Sequence, residues 1–460
     1  MSEFKKYRIH FIGIGGIGMS GIAEIFLRQG HEVSGSDLQA NDQTEQLALG
    51  GAQIFIGHAT SQIQKGIHTV VISTAVRPDN LELLEARRLK IPVIRRAEIL
   101  AEILRGKTGI TVAGTHGKTT TTSMIAQIFI SAGLDPTAVV GGKVEAIGSN
   151  AKFGLGNTVI AEADESDGSF LLLPATYSVV TNIDLDHMEY YQTQARLDEA
   201  FVQFTKIIPF YGCTWLCGDD KGVQRILPEL SKPHQLYGFG EKNDLIAREI
   251  EIQGRSQKAQ LFYYGKPLGE LTLNVLGRHN LLNALAAVGI ALSLDIPFEK
   301  IKTALAAFRH VRRRFDERYY SEKTGIRVVD DYGHHPTEIK AVLQTARDSR
   351  AKRVVTIFQP HRFTRTQLCW KEFLNCFQET DVLIMLPIYA AGEDPIEGVT
   401  SNALLHEIKK IYPKQAAHNI ESLESALQWV LKNKTEGDFI LTLGAGSITK
   451  LAAQLAEALK

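Results

Sequence analysis

Short runs of apolar and β-branched residues alternate along this chain with longer stretches in which apolar positions recur every three or four residues. The first pattern predicts buried strands and the second amphipathic helices. Residues 8–12 (Arg-Ile-His-Phe-Ile) predict a strand, and a helix start follows at residues 19–26. Further strands are predicted at residues 69–73, 109–113, 159–162 and 178–182, with helices at 120–129, at 280–294 and on to 308. The last third predicts strands at 326–330, 353–358, 382–386 and 438–443, each followed by a turn and a helix pattern. Such alternation predicts an α/β protein with mostly parallel sheets. Three blocks emerge: a Rossmann-like N-terminal domain over residues 1–106, a central phosphate-loop ATPase-type domain over 107–314, and a C-terminal Rossmann-like α/β domain over 315–460. The basic stretch Arg309-His310-Val311-Arg312-Arg313-Arg314 is predicted to link the last two. In open α/β sheets ligands sit beyond the carboxyl ends of the strands, where most polar clusters of this sequence fall.

Composition narrows the class. A chain of 460 residues is long enough for several domains with proper cores. Lys plus Arg equals Asp plus Glu at 51 each, so no global basic footprint points to nucleic acid. No apolar run approaches membrane-spanning length. Lys5, Lys6 and Arg8 precede an apolar stretch, but glycines interrupt it and no small-residue cleavage pattern closes it, so a signal peptide is not expected. The four cysteines (Cys213, Cys217, Cys369, Cys376) lack Cys-x-x-Cys spacing and fit a reduced cytoplasmic protein. Cys369 and Cys376, one heptad apart in a helix pattern, are predicted core residues.

The chemistry concentrates at two glycine-rich loops. Gly114-Thr115-His116-Gly117-Lys118-Thr119-Thr120 lies between a strand pattern and a helix pattern. A glycine-flanked turn entering a helix presents backbone N–H groups to an anion, and the helix dipole favours that anion. Lys118 would reach terminal phosphates and the Thr119 hydroxyl would sit on Mg²⁺. The general phosphate-loop spacing asks for glycine five residues before Gly117, where this chain has Val112, so the loop is a shortened Gly-x-x-Gly-Lys-Thr form. The second loop, Gly13-Ile14-Gly15-Gly16-Ile17-Gly18, follows the first strand and opens a helix. Asp37 lies about 20 residues beyond it, the offset of a dinucleotide fold. The loop could hold any diphosphate, and Asp37 any ribose or nearby polar group.

Other clusters fall at strand exits. Glu162-Ala163-Asp164-Glu165-Ser166-Asp167 is either a solvated loop or a metal-binding segment. Mg²⁺ takes one or two carboxylates and completes its shell with phosphate and water. Glu162, last in its strand, is the acid best placed to face the phosphate loop. Residues 181–187 end in Asp186-His187, where His187 could be a second metal ligand, although nitrogen is an unusual choice for Mg²⁺. Asn280 and Asn283 lie one helical turn apart and suit either a cap plus an exposed amide or recognition of adenine. Two arginines after the strand at 353–358, Arg362 and Arg365, suit bidentate capture of a carboxylate or are surface cations near a turn.

Taken together, these segments resemble the Mur ligase family, ATP-dependent amide-forming enzymes of peptidoglycan precursor synthesis. The resemblance covers essentially the whole chain. It rests on residues 114–120, 162–167, 182–187, His279-Asn280-Leu281-Leu282-Asn283, Arg312-Arg313-Arg314-Phe315 and Asp331-Tyr332-Gly333-His334-His335-Pro336. Within the family, residues 13–20 and Gln359-Pro360-His361-Arg362 look like the member that joins UDP-N-acetylmuramate to L-alanine. The relative to exclude attaches a whole peptide to the same nucleotide sugar.

The resemblance implies roles. Gly13, Gly15, Gly16 and Gly18 would take the UDP diphosphate, with Asp37 and His58 near the nucleoside. Gly114, Thr115, His116, Gly117, Lys118, Thr119 and Thr120 would hold ATP phosphates. Thr119 and Glu162 would hold one Mg²⁺ and His187 a second. Lys118, Glu162 and His187 would be catalytic. Asn280 and Asn283 would read adenine, Arg314 would contact phosphate, and Asp331 the ATP ribose. His334, Arg362 and Arg365 would gather around L-alanine. The partners are then UDP-N-acetylmuramate, L-alanine and ATP, without nucleic acid or membrane insertion, in a cytoplasmic monomer or homodimer. A nicotinamide-dependent dehydrogenase would explain the first 40 residues but leaves Lys118, Thr119, Glu162 and His187 without roles. A non-catalytic nucleotide-binding module leaves unexplained why metal, adenine and carboxylate motifs share one chain.

Overall fold

The structure is a computed structural model that describes residues 6–144, 149–309 and 312–460. Of the predicted linker, His310 and Val311 lie outside the described residues. The chain divides into two compact units. One holds residues 1–249, 259–272 and 282–308, and the other holds 250–258, 273–281 and 309–460.

The first sheet is built from β1 (Arg8–Ile12), β2 (Glu32–Asp37), β3 (Gln53–Ile56), β4 (Thr69–Ile72) and β5 (Val93–Arg95). Their order is β3-β2-β1-β4-β5, and all pairs are parallel. The apolar run of β1 puts Ile9, Phe11 and Ile12 in the core. The helix Ile17–Arg28 turns Met19, Ile22, Ala23, Ile25 and Phe26 inward, as its three-and-four spacing requires. Burying one such large side chain stabilises by about 1.5–3 kcal/mol. The chain leaves β1 toward β2 on one side and reaches β4 on the other. The 13–18 loop therefore stands at a switch point of the strand order, where open sheets bind ligands.

The second sheet comprises β6 (Thr108–Ala113), β7 (Thr137–Val144), β8 (Ser149–Lys152), β9 (Thr158–Glu162), β10 (Tyr177–Val180), β11 (Cys213–Cys217), β12 (His234–Gly238), β13 (Leu245–Gln253), β14 (Ser256–Tyr263) and β15 (Lys266–Leu273). They run in the order β15-β14-β13-β12-β11-β10-β6-β9-β7-β8. The helix Lys118–Ser131 is buried nearly all round: Thr119 to Ser123 are buried in its first half and Met124, Ile125, Ala126, Ile128 and Phe129 in its second, as expected of a helix inside a core.

The third sheet, in the second unit, has β16 (Asp316–Tyr320), β17 (Arg327–Asp331), β18 (Arg353–Phe358), β19 (Val382–Met385), β20 (Ala416–Asn419) and β21 (Asp438–Leu443). Its order is β16-β17-β21-β18-β19-β20, antiparallel only at the β16–β17 edge. Alternate residues of β21 feed two cores: Phe439, Leu441 and Leu443 on one face, Ile440 on the other. Both faces are thus covered, which is why these strands read as continuous apolar runs. Cys369 and Cys376 are buried, as their spacing predicts. The single helix expected there is instead two short ones, Phe363–Leu368 and Trp370–Phe373, broken at Cys369. Among the described residues no helix is long and apolar enough to cross a membrane.

Candidate functional site

At the first glycine loop the backbone is tied to β2. The N–H groups of Gly13 and Ile14 both donate to the Ser36 carbonyl, at 2.8 and 2.9 Å. Gly15 N–H donates to Asp37 Oδ2 at 2.9 Å, so the residue expected near a ribose also clamps the loop. A Cβ on Gly15 would lie 2.7 Å from Asn41 Nδ2 and 2.9 Å from that carboxylate, so any larger residue must push these side chains aside. A Cβ on Gly18 would approach Arg96 Nη1 at 3.0 Å. Gly16 is the N-cap of the helix that follows. His58 follows β3, and its Nδ1 lies 3.1 Å from Ser36 Oγ, which puts it one residue from Asp37. These residues stand at or just beyond the carboxyl ends of β1, β2, β3 and β5.

The second glycine loop is braced by the exit of β10. Thr115 N–H donates to the Asn182 carbonyl, and His116 N–H to Asn182 Oδ1 at 2.8 Å. Thr181 Oγ1 and Asn182 Nδ2 both donate to the His116 carbonyl, at 2.6 and 3.0 Å. Asp184 N–H donates to Thr115 Oγ1, and Asp184 Oδ2 lies 3.3 Å from His116 Nε2. Gly114 and Gly117 have φ of +127° and +83°, a region that disfavours side chains. A Cβ on Gly117 would meet Asn283 Oδ1 at 2.5 Å, so Asn283 packs directly on the loop. Lys118, Thr119 and Thr120 form the first turn of their helix.

Lys118 does not point into open space. Its ammonium donates to the carbonyls of Gly114 and Thr115, at 2.6 and 3.2 Å, and to Glu165 at 2.8 Å. Burial opposes its charge, but the carboxylates of Glu165, Asp164 and Glu162 outweigh burial and hold its pKa above the ordinary lysine value. Glu165 is 1% exposed, and burial pushes its own pKa up against the pull of Lys118. Glu162 ends β9, pairs in register with Val112, and accepts the Gly141 N–H at 2.6 Å. His187 adopts left-handed φ of +56° and sits among Glu165, Asp186 and Glu189, 3.7–3.9 Å away. Burial opposes the imidazolium, yet Glu189, Asp186 and Glu165 raise the pKa of His187 overall. The structure therefore gathers Lys118, Glu162, Glu165, His187 and Asn283 around one loop.

In the second unit, Asp331 ends β17 and accepts N–H groups from Gly333 and Phe315, both at 2.6 Å. Burial raises its pKa to about 6 despite nearby Arg314. Arg314 lies over the Tyr332 ring at 4.9 Å. Asn280 Nδ2 donates to the Leu276 carbonyl at 2.7 Å. His334 meets His361 edge to face at 5.9 Å, and His361 stacks on Tyr389. Arg365 reaches His361 Nδ1 at 3.4 Å, so His334 and Arg365 share one cluster. Arg362, at φ +69°, lies 4.0 Å from Glu393.

Family models for the catalytic domain, the middle domain and the glutamate ligase domain of Mur ligases match residues 8–108, 112–291 and 313–446. The chain belongs to the Mur ligase family. Among its relatives is a UDP-N-acetylmuramate–L-alanine ligase from Geotalea daltonii, 48% identical with 99% of each chain covered. Another from Trichlorobacter lovleyi is 47% identical over 98% of this chain and 99% of that one. The crystal structure of a UDP-N-acetylmuramate–alanine ligase from Thermotoga maritima superposes with a TM-score of 0.83 at 30% identity, covering 98% and 99% of the two chains. A murein peptide ligase from Psychrobacter arcticus shares the fold, with a TM-score of 0.71 at 22% identity and 98% of each chain covered.

Three parts of this Mur ligase escaped sequence reading. Glu165, not only Glu162, faces Lys118. Arg96 lies against Gly18 and pairs with Asp164 at 2.9 Å, joining the first loop to the acidic strand exit. His10 and Glu82 form a buried network with His58. The acidic run contained a signal for Glu165. For Arg96, His10 and Glu82 no motif existed to find.

Proposed function

We infer that the chain joins the lactyl carboxylate of UDP-N-acetylmuramate to L-alanine at the expense of ATP, in peptidoglycan precursor synthesis. The observation that carries this reading is the end-to-end likeness to relatives bearing that name. Residues 1–106 take the sugar nucleotide, 107–314 take ATP, and 315–460 take L-alanine and close on ATP. The 13–18 loop, with Gly15 packed closely against Asn41 and Asp37, supports a diphosphate close to its backbone. Lys118 and the N-terminus of its helix support the ATP phosphates. Asn283 supports adenine from its place on Gly117, with Asn280 one turn before it on the same helix.

A carboxylate is a poor acyl donor. Its oxygen attacks the γ-phosphorus of ATP, ADP leaves, and an acyl phosphate results. The neutral amine of alanine then attacks the acyl carbon, phosphate departs with the cleaved C–O bond, and the amine releases its proton. Lys118 neutralises charge on the transferring group, and charge placed where it develops is worth several kcal/mol. The Thr119 hydroxyl and the Glu162 carboxylate are hard oxygen donors suited to Mg²⁺, and His187 lies in a carboxylate cluster that favours a cation. Bound Mg²⁺ supplies further neutralisation of phosphate charge. His334, Arg362 and Arg365 orient alanine, its carboxylate on the guanidinium groups.

The test is phosphate release with one substrate omitted at a time. Release should require ATP, Mg²⁺, UDP-N-acetylmuramate and L-alanine together. Equal turnover without the sugar nucleotide refutes the reading, and preference for a preformed tripeptide over alanine assigns the chain to the peptide-attaching branch.

A further inference from the structure

The first domain contains a buried carboxylate that the reaction chemistry does not use. Glu82 opens the helix Leu81–Arg88 after β4 and is 0% exposed. Its Oε2 accepts from His10 Nε2 at 2.6 Å, and its Oε1 accepts from His58 Nδ1, also at 2.6 Å. The far nitrogen of His10 lies 2.9 Å from Ser34 Oγ. Ser36 Oγ lies 3.1 Å from His58 Nδ1. Burial opposes the charge on Glu82, but hydrogen bonds from His10, Ser36 and His58 overcome it and hold its pKa below the ordinary glutamate value. An ionised carboxylate only accepts, so the His58 nitrogen facing it carries the hydrogen. In the neutral ring the other nitrogen of His58, Nε2, is an acceptor. The His58 side chain is 20% exposed, while Glu82 is sealed behind it. Ser36 connects the network to the glycine loop, because its carbonyl takes the N–H groups of Gly13 and Ile14.

We propose that Glu82 is a positioning residue for the sugar-nucleotide site: it fixes the tautomer of His58 so that Nε2 accepts a hydrogen bond from the nucleoside. This rests on the assignment of UDP to the first domain. The recognised chemistry is a donor on the nucleoside, either the uracil imide N–H or a ribose hydroxyl. His10, itself held by Ser34, bonds the second carboxylate oxygen, so the carboxylate cannot rotate away from His58.

The experiment combines histidine ¹⁵N spectroscopy of the full chain at pH 8.5 with calorimetry of UDP and ATP. In the unsubstituted protein the His58 spectrum should show hydrogen on Nδ1 and none on Nε2; hydrogen on Nε2, alone or on both nitrogens, overturns the proposal without any variant. His58→Ala, Glu82→Gln and their double variant should each weaken UDP binding by the same factor, roughly 3- to 10-fold, with ATP affinity unchanged. Additive losses, or an unaltered UDP affinity in Glu82→Gln, overturn it. N3-methyl-UDP should bind unsubstituted protein and His58→Ala alike if the imide is the donor, and 2′-deoxy-UDP should do so if it is the hydroxyl; a wild-type advantage retained for both analogues overturns the contact. Gly15→Ala separates the two levels. If it leaves UDP binding intact, the assignment of UDP to this domain fails. If it abolishes binding while Glu82→Gln has no effect, only the positioning role fails.

Discussion

Glu165→Gln removes the negative charge from the pair with Lys118 while keeping the side chain's size. At 2.8 Å and an effective dielectric of about 20, the pair attracts by about 6 kcal/mol. Desolvation of both groups takes back much of that, and breaking a buried pair typically costs about 3–5 kcal/mol. Lys118 keeps two carbonyl acceptors and the field of Asp164 and Glu162, and its side chain is 17% exposed. The expected cost is therefore about 2–3 kcal/mol, a fall in melting temperature of about 3–5 °C for a unit of this size. The reasoning makes a second, sharper claim. Bound ATP offers Lys118 a new anion, so saturating ATP should shrink the deficit to under about 1 kcal/mol. Thermal unfolding followed by far-ultraviolet circular dichroism, with and without ATP, measures both quantities. An equal deficit in the two conditions would mean that Lys118 does not exchange Glu165 for phosphate, and no deficit at all would mean that the pair contributes nothing.

Gly117→Ala places a methyl 2.5 Å from Asn283 Oδ1 at φ +83°, and should weaken ATP binding at least about 10-fold while leaving UDP affinity unchanged by calorimetry. Arg96→Ala breaks a partly exposed pair, so stability should change by less than about 1 kcal/mol, yet the KM for UDP-N-acetylmuramate should rise more than that for ATP in steady-state assays. His279 and His361 both have pKa values lowered to about 4, His279 by burial and then Arg314, His361 by burial and then Arg365 and Arg362. Their neutral forms fit the folded protein, so their contribution is complete above pH about 6.5 and is lost as pH falls toward 4. Urea unfolding between pH 7.5 and 4.5 should show stability falling by up to about 1.4 kcal/mol per pH unit from His279 and by less from the more exposed His361, and His279→Asn should flatten that fall.

The strands and both glycine loops were legible because local pattern determines them. Apolar runs covered on both faces, such as β18 and β21, announce themselves, and a loop needing positive φ at Gly114 and Gly117 must spell glycine. The order β10-β6-β9 is not written locally, yet it decides which acids surround Lys118. Glu162 was favoured because it ends a strand. Glu165 came to Lys118 only through the turn beyond it. Arg96 and Glu82 sit in unremarkable helical patterns, and their partners lie 68 and 72 residues away in sequence, at Asp164 and His10. The strands β14 and β15 were not anticipated, because their buried residues are interleaved with polar ones and their turns resemble surface loops. The break at Cys369 was hidden for the opposite reason: Cys369 and Cys376 are buried seven residues apart as in one helix, yet Cys369 separates two short helices and Cys376 lies beyond the second.

The occupied ammonium of Lys118 also bears on selectivity among anions. With Glu165 as its resident partner, the loop meets a newcomer as a competitor for an existing bond, not as a vacant cation. Inorganic phosphate or sulfate brings only its own charge to that exchange and must displace a carboxylate tethered by the chain. A nucleoside triphosphate brings a base that can hold on to the far end of the site while the exchange takes place. If the loop takes nucleotide phosphates as proposed, the resident acid would set a threshold that a small free ion, the released phosphate included, crosses less readily than a nucleotide.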